Sequence, residues 1–181
     1  MSIEDIILDH DNRGMHMLRS SVPSDFCTRA AENIQSHPGT VFVITGFYII
    51  GANAAETDGP PGALAIAKAL RMMGRRVVYV TDKYTSGILG GMEEGKAEVL
   101  DFPITGHEES RRISREILDQ YQPAIIISVE RCSLTGQGFY RNMKGLDISE
   151  YTAKVDYLFR QHPNSIAVSY THLRAHETLR Y

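Results

Sequence analysis

The sequence predicts an α/β fold, with an open and mostly parallel sheet covered by helices on both faces. Four short runs of apolar, largely β-branched residues alternate with longer segments in which apolar residues recur at helical spacing. The clearest run, at residues 40–45, is apolar at successive positions, which is typical of a parallel strand buried on both faces. This alternation with short connections indicates a Rossmann-like, three-layer architecture.

Residues 1–38 precede the first of these runs and are predicted to be helical. Ile3, Ile6 and Ile7 have helical spacing, and the turn residues that follow interrupt the pattern. Asp25 is a candidate N-cap for a second helix that ends near Ser36.

The remaining elements follow in strict alternation. Pro60 and Pro61 suit the first turn of a helix, Gly74 suits its end, Thr105 with Glu108 matches a capping box, and Ser149 can cap the last helix. The predicted strands are 40–45, 76–81, 97–102 and 124–129, with a fifth beginning at 165–167, and the predicted helices are 60–73, 86–95, 105–121 and 149–161. Right-handed crossovers then favour the strand order 3-2-1-4, in a sheet that is incomplete on its C-terminal side.

Composition excludes several classes of protein. The chain has 181 residues, of which 43% are hydrophobic and 23% charged, and a net charge of −3. The negative charge disfavours a nucleic-acid partner, and no apolar run is long enough to span a membrane. The N-terminus resembles neither a signal nor a transit peptide, and the two cysteines are far apart, so we expect a cytoplasmic protein. Composition leaves the oligomeric state open.

The C-terminal segment has an unusual origin. Residues 168–178 read VSYTHLRAHET, which back-translates with permitted codons into the transposase adapter used in sequencing-library preparation. We therefore predict that residues 1–167 form one α/β domain and that residues 168–181 are not native.

The loop after the first strand is the first candidate for a site. In a sheet of this order, ligands bind beyond the carboxyl ends of the strands at the point where the order reverses. The loop leads from Thr45 and Gly46 to the start of a helix, where an anion is favoured, and Gly59 and Gly62 permit close approach. The carboxylates of Glu56 and Asp58 suit an ammonium group, so an α-amino acid fits both charges, and Thr57 or Asp58 could cap the helix. The alternative is an ordinary capped helix after a long loop.

The loop after the fourth strand is the second candidate. Glu130 stands at the carboxyl end of the strand, as a general base or an ammonium partner, and Arg131 can clamp a carboxylate. Tyr140 and Asn142 offer neutral hydrogen bonds, and Asp147 closes the loop. The alternative is a solvated polar loop. Cys132 is favoured as a packing residue over a nucleophile, and Asp82 as a turn cap over a ligand contact.

Several motifs together resemble the D-glutamate cyclase domain family. They are Thr57-Asp-Gly-Pro-Pro-Gly-Ala63 after an apolar strand, Glu130-Arg131, the run Tyr140–Ser149, and an early Asp11-Asn-Arg-Gly14. The resemblance extends from about Ile3 to Ala167 and implies a lyase that interconverts D-glutamate and 5-oxo-D-proline plus water. It also implies a mitochondrial location for eukaryotic members.

The implied reaction assigns roles to the candidate residues. Glu130, Glu56 or Asp58 would be the catalytic base, and the other residues of the two loops would bind the substrate: Thr45, Gly46, Thr57, Gly59, Gly62, Arg131, Tyr140, Asn142 and Asp147. The scheme requires no cofactor, although acidic loops leave a divalent metal open. The alternative function is a non-catalytic domain that binds an amino acid or a nucleotide in the same crevice.

Overall fold

The computed structural model describes residues 2–8, 15–162 and 167–170. The described residues divide into two compact units, one within residues 2–38 and one within residues 39–170. The early motif Asp11–Gly14 and residues 171–181 lie outside the described residues.

The first unit is helical where it is described. It contains α1 (Ile3–Leu8), a 3-10 helix (Met15–Ser21) and α2 (Phe26–Ser36). Ser2 and Asp5 exchange hydrogen bonds of 2.9 and 3.2 Å in a reciprocal capping box. Asp25 precedes α2 as predicted, but its carboxylate accepts a hydrogen bond from Arg29 rather than capping the helix.

The second unit is built on a five-stranded parallel sheet. Its strands are β1 (Val41–Thr45), β4 (Val77–Thr81), β5 (Glu98–Asp101), β6 (Ile125–Val129) and β7 (Ala167–Tyr170), and β2 (Tyr48–Ile49) and β3 (Ala54–Ala55) form a separate small hairpin. The order is β5-β4-β1-β6-β7, and every pairing in this sheet is parallel. The predicted order of the first four long strands is thereby confirmed. β7 includes Ala167 of the predicted fifth strand, and residues 165 and 166 of that prediction lie outside the described residues.

Two helical layers cover this sheet. The helices are α3 (Gly59–Met72), α4 (Ser86–Met92), α5 (His107–Tyr121) and α6 (Asp156–Gln161). Phe42 and Ile44 pack in one core with Ile117 of α5 and Leu158 of α6. Side chains alternate along a strand, so Thr45 points to the opposite face, where it approaches Gly59 of α3.

Two predicted helix starts are wrong. α5 begins at His107 after Gly106, and Thr105 bonds the Ser110 hydroxyl at 2.9 Å instead of forming a capping box with Glu108. The predicted helix 149–161 is interrupted, since a 3-10 helix at Ser149–Tyr151 is followed by an extended stretch before α6. Residues 152–155 of that stretch are all buried, which a surface helix with one apolar face cannot achieve.

No helix among residues 2–8, 15–162 and 167–170 is both long and apolar enough to cross a membrane.

Candidate functional site

The two candidate loops meet at the carboxyl edge of the sheet. β1 and β6 are neighbours in register, with Thr45 opposite Val129, so their following loops leave the sheet side by side. At Gly59, the first residue of α3, an added β-carbon would lie 2.8 Å from the Glu130 β-carbon and 2.8 Å from Thr45 Oγ1. Glycine is therefore needed for the start of α3 to pack directly against both strand ends.

The first loop folds into a small hairpin before it reaches α3. Gly46 leaves β1 with φ +117°, and a β-carbon there would come within 2.7 Å of Thr85 Oγ1 and 2.8 Å of Thr81 Oγ1. The Glu56 amide donates to the Phe47 carbonyl at 2.7 Å and closes the base of the hairpin. Glu56 is half-buried, whereas Thr57 and Asp58 are exposed.

The start of α3 has fewer backbone donors than a typical helix start. Its second and third residues are Pro60 and Pro61, which have no N–H, so Gly59 is the one N–H donor among its first three residues. The Asp58 carboxylate makes no capping hydrogen bond. The expected anion site therefore depends on one amide and on the helix dipole.

Glu130 has a strained backbone. Its φ of 49° places it in the left-handed region, which costs a non-glycine residue about 1 kcal/mol or more. The residue is half-buried directly after β6, with its β-carbon against Gly59. Such strain is concentrated at functional positions, which strengthens the case for Glu130.

Arg131 is buried and binds three parts of the protein. Its guanidinium donates to the Gly46 carbonyl at 2.9 Å, the Asp82 carboxylate at 2.7 Å and the Ala153 carbonyl at 2.9 Å. The negative charge of Asp82 raises the pKa of Arg131 in spite of its burial. The guanidinium thus connects the ends of β1, β4 and β6 from within.

Asp82 also caps the turn that follows β4. Its other carboxylate oxygen accepts a hydrogen bond from the Tyr84 amide at 3.2 Å, which confirms the predicted cap.

The second loop has its own apolar core. Cys132, Leu134, Tyr140 and Ile148 are buried together, with Phe47 of the first loop packed against them. Burial and the nearby Asp156 carboxylate raise the pKa of Tyr140, whose hydroxyl donates to that carboxylate. Burial raises the pKa of Cys132 to about 12, so this thiol is protonated at neutral pH, in line with the predicted packing role.

Polar residues of the second loop bond mainly to the loop itself. The Asn142 side-chain oxygen accepts hydrogen bonds from the Lys144 and Leu146 amides, at 2.9 and 3.0 Å, and shapes a tight turn. Asp147 accepts from the Ser149 backbone amide at 2.8 Å, and the bonds to Ser149 lower the pKa of this carboxyl.

Two hydroxyls at the same edge have no hydrogen-bond partner among the described residues. They are Thr45 Oγ1 and Thr85 Oγ1, both buried, and the Arg131 Nε is likewise unpartnered. Buried polar groups are normally satisfied, so these three atoms stand out at this edge of the sheet. Within the described ranges, no three His, Cys, Asp or Glu side chains are grouped to hold a metal ion.

Sequence reasoning missed a cluster of three tyrosines at this edge. The Tyr48 ring stacks on Tyr151, with centroids 4.4 Å apart and planes at 2°, and lies 4.5 Å from the Tyr84 ring. The three rings come from the loops after β1, β4 and β6. They are distant in sequence and share no periodic pattern, so only the tertiary fold brings them together.

The fold and the meeting of these two loops define an open α/β domain whose candidate site lies at the reversal point of the sheet. The family described as D-glutamate cyclase-like, C-terminal, matches residues 3–171, and the chain belongs to this family. The chain is also 25% identical over 166 residues to the human protein named D-glutamate cyclase, mitochondrial. The match covers 84% of this chain and 26% of the human protein, so the chain spans about a quarter of that relative's length.

Proposed function

We propose that this chain carries a D-glutamate cyclase activity, the reversible conversion of D-glutamate into 5-oxo-D-proline and water. The observation that carries the proposal is the packing of Gly59 against Glu130 and Thr45, which unites the two loops bearing the family motifs. Family membership supports the substrate class, and the human relative bears the name of this activity.

In the proposed reaction the α-amino nitrogen attacks the side-chain carboxyl carbon of the same molecule. A C–N bond forms and a C–O bond breaks. The two protons that the nitrogen loses are transferred to the departing oxygen, which leaves as water. The ammonium group must first lose a proton. Glu130 is our candidate base, because it stands directly after β6 where the two loops meet.

The first loop supplies the remaining electrostatics in this scheme. Glu56 and Asp58 flank the start of α3 and would attract the substrate ammonium, with Thr57 between them. The Gly59 amide and the helix dipole would stabilise the oxyanion that develops at the attacked carboxyl. Gly62 lies in the next turn, where a β-carbon would be 3.4 Å from Val129, and keeps α3 close to β6.

The other candidate residues act indirectly in this proposal. Arg131 holds the strand ends together through Gly46 and Asp82, so it positions Glu130 rather than clamping the substrate. Tyr140, Asn142 and Asp147 maintain the shape of the second loop. The scheme draws only on side chains and one backbone amide, and we propose no cofactor.

A direct assay tests the proposal. The full chain is incubated with D-glutamate or with 5-oxo-D-proline, and interconversion is followed by chiral chromatography, with the L-enantiomers in parallel. We expect conversion of the D-enantiomer that falls at least about 100-fold in Glu130→Gln, the scale of a lost general base. Glu116→Gln is the matched control, because Glu116 is exposed on α5, where it pairs with Arg112.

The alternative is a non-catalytic domain that binds a small amino acid at the same place. The second loop favours it, since most of its polar groups are engaged internally. Calorimetric binding of D-glutamate without any conversion would support this alternative and overturn the proposed activity. The cytoplasm remains our proposed compartment, to be tested by fractionation of cells that express the chain, whereas the name of the human relative specifies mitochondria.

A further inference from the structure

The tyrosine cluster of Tyr48, Tyr84 and Tyr151 joins three loops that leave the same edge of the sheet. Tyr48 belongs to the hairpin after β1, Tyr84 follows β4, and Tyr151 ends the 3-10 helix that follows the second loop. Tyr48 is 5% exposed although it lies in a loop, because its ring contacts the other two rings.

Besides Phe47, which packs against the core of the second loop, these rings anchor the hairpin. Its two-residue strands pair only with each other, and the Tyr48 hydroxyl donates to the Asn53 side chain at 2.5 Å within the same hairpin. Ile49 and Ile50 at its far end are exposed at 37% and 38%. Stacking on Tyr151 and Tyr84 is therefore a principal tertiary contact of this segment.

The hairpin leads directly into the acidic stretch of the proposed site. Ala55, the partner of Tyr48 in the hairpin, immediately precedes Glu56, whose amide bonds to the Phe47 carbonyl. A shift of the Tyr48 ring would thus move Glu56 and, beyond it, Asp58. A single residue pair, Tyr48 with Ala55, connects the ring to Glu56, which follows Ala55 directly.

We propose that Tyr48 is a positioning residue, whose stacked ring on Tyr151 and Tyr84 holds the acidic stretch Glu56–Asp58 in place over the carboxyl edge of the sheet. The expected effect of Tyr48 on kinetics rests on the proposed function, whereas its expected effect on the conformation of the loop rests on the ring contacts alone. Stacked aromatic pairs contribute about 0.5–1.5 kcal/mol beyond burial, enough to select one loop conformation.

Three variants of the full chain test the inference. Tyr48→Leu removes the ring, whereas Tyr48→Phe keeps the ring and removes only the hydrogen bond from the hydroxyl to Asn53. Tyr121→Leu is the matched control, because Tyr121 contacts Phe42 edge-on and the Arg76 guanidinium, away from the three loops.

Kinetics of D-glutamate conversion give the first readout. We expect Tyr48→Leu to lower kcat/KM by about 10- to 100-fold, as a displaced site residue does, and Tyr48→Phe to restore most of it. Tyr121→Leu should lower Tm while leaving kcat/KM within about twofold at a temperature well below Tm. Equal kinetic losses in Tyr48→Leu and Tyr121→Leu, or no loss in Tyr48→Leu, would overturn the inference.

Amide hydrogen exchange gives a second readout that does not depend on activity. We expect faster exchange across residues 47–58 in Tyr48→Leu, near wild-type exchange in Tyr48→Phe, and no change in this segment in Tyr121→Leu. A wild-type chain without cyclase activity would end the proposed function but leave this exchange prediction intact. Unchanged exchange in Tyr48→Leu would end the positioning role even if the chain is active.

Discussion

The loops after β1 and β6 leave the same edge of the sheet but use their polar residues differently. In the first loop Thr57 and Asp58 are exposed and Glu56 is half-buried beside a helix start. In the second loop the polar groups of Tyr140, Asn142 and Asp147 bond to neighbouring parts of the chain. The first loop therefore exposes Thr57 and Asp58, whereas the second loop uses these three polar groups to hold its own conformation.

This difference shows that the identity of a loop residue does not determine its role. Both loops look equally polar in the sequence, and both carry candidate substrate contacts. The second loop contains enough apolar residues, among them Leu134 and Ile148, to form a core of its own. Tyr140 lies in that core and its hydroxyl donates to Asp156, whereas Asn142 and the exposed Asp147 accept hydrogen bonds from backbone amides of nearby residues.

The largest effect is expected at Arg131, which joins the two loops from beneath. Arg131→Met leaves Asp82 as a buried unpaired charge and removes the donors to Gly46 and Ala153. Breaking a buried ion pair in this way costs about 3–5 kcal/mol, which should appear as a lower midpoint in urea unfolding.

The exposed pair of Arg76 with Glu98 provides the contrast for Arg131. Arg76→Met should change the midpoint far less, since exposed pairs contribute little. A small decrease of the urea midpoint in Arg131→Met would mean that Asp82 is accessible to water. The ion pair beneath the two loops would then not be buried.

The second largest effect is expected at Gly59, where the loops touch. Gly59→Ala places a methyl group 2.8 Å from both Glu130 and Thr45, so one of the two loops must move. Overpacking of this kind costs about 1–3 kcal/mol, and we expect a clear loss of D-glutamate conversion as well.

Gly87→Ala in α4 is the matched control for Gly59→Ala. An added β-carbon at Gly87 meets no atom within 4 Å, and alanine favours a helix by up to about 1 kcal/mol. This variant should be as stable as the parent or more stable, with unchanged conversion. Full activity in Gly59→Ala would mean that conversion of D-glutamate does not depend on the contact between the two loops.

A third effect, at Tyr140, distinguishes a structural role of the second loop from a role in substrate binding. Tyr140→Phe removes the hydroxyl that donates to Asp156, and the lost buried bond should lower stability by about 1–2 kcal/mol. If the role of the second loop is structural, KM for D-glutamate stays unchanged in this variant at temperatures below Tm. A raised KM at unchanged stability would instead assign Tyr140 to the substrate, as the sequence suggested.

The sheet was predictable from the sequence because its strands carry an unambiguous signal. Runs such as Val41–Thr45 and Ile125–Val129 are apolar on both faces, and the crossover rule then restricts their order. The meeting of the two loops also follows from that order. Helix starts were less predictable, because Thr105 found a side-chain partner in Ser110 that no local pattern reveals.

The inner side of the site was not predictable, for a physical reason. The partners of Arg131 are Gly46, Asp82 and Ala153, which lie far apart in the chain and carry no shared motif. The tyrosine cluster is assembled in the same way from three loops. Sequence patterns report local periodicity, whereas these contacts depend on the register of neighbouring strands.

The smallest effect concerns pH and Lys154, which ties the extended stretch before α6 to the segment between β5 and α5. Lys154 is 7% exposed, its ammonium donates to the Thr105 carbonyl at 2.6 Å, and burial lowers its pKa. The folded state therefore binds this proton less tightly than the unfolded state. The penalty for burying the charge is complete below the folded pKa and is relieved as pH rises through the folded pKa toward the unfolded value of about 10.4.

Lys154→Met should accordingly gain stability relative to the parent at pH 7, offset in part by the lost bond to Thr105. The difference between the two proteins should shift in favour of the parent as the pH approaches about 10, the range in which lysine deprotonates. Urea midpoints of both proteins between about pH 7 and pH 10 provide the measurement. A difference that is constant with pH would mean that the Lys154 ammonium stays in contact with water. The stretch before α6 would then pack on Thr105 less tightly than their hydrogen bond indicates.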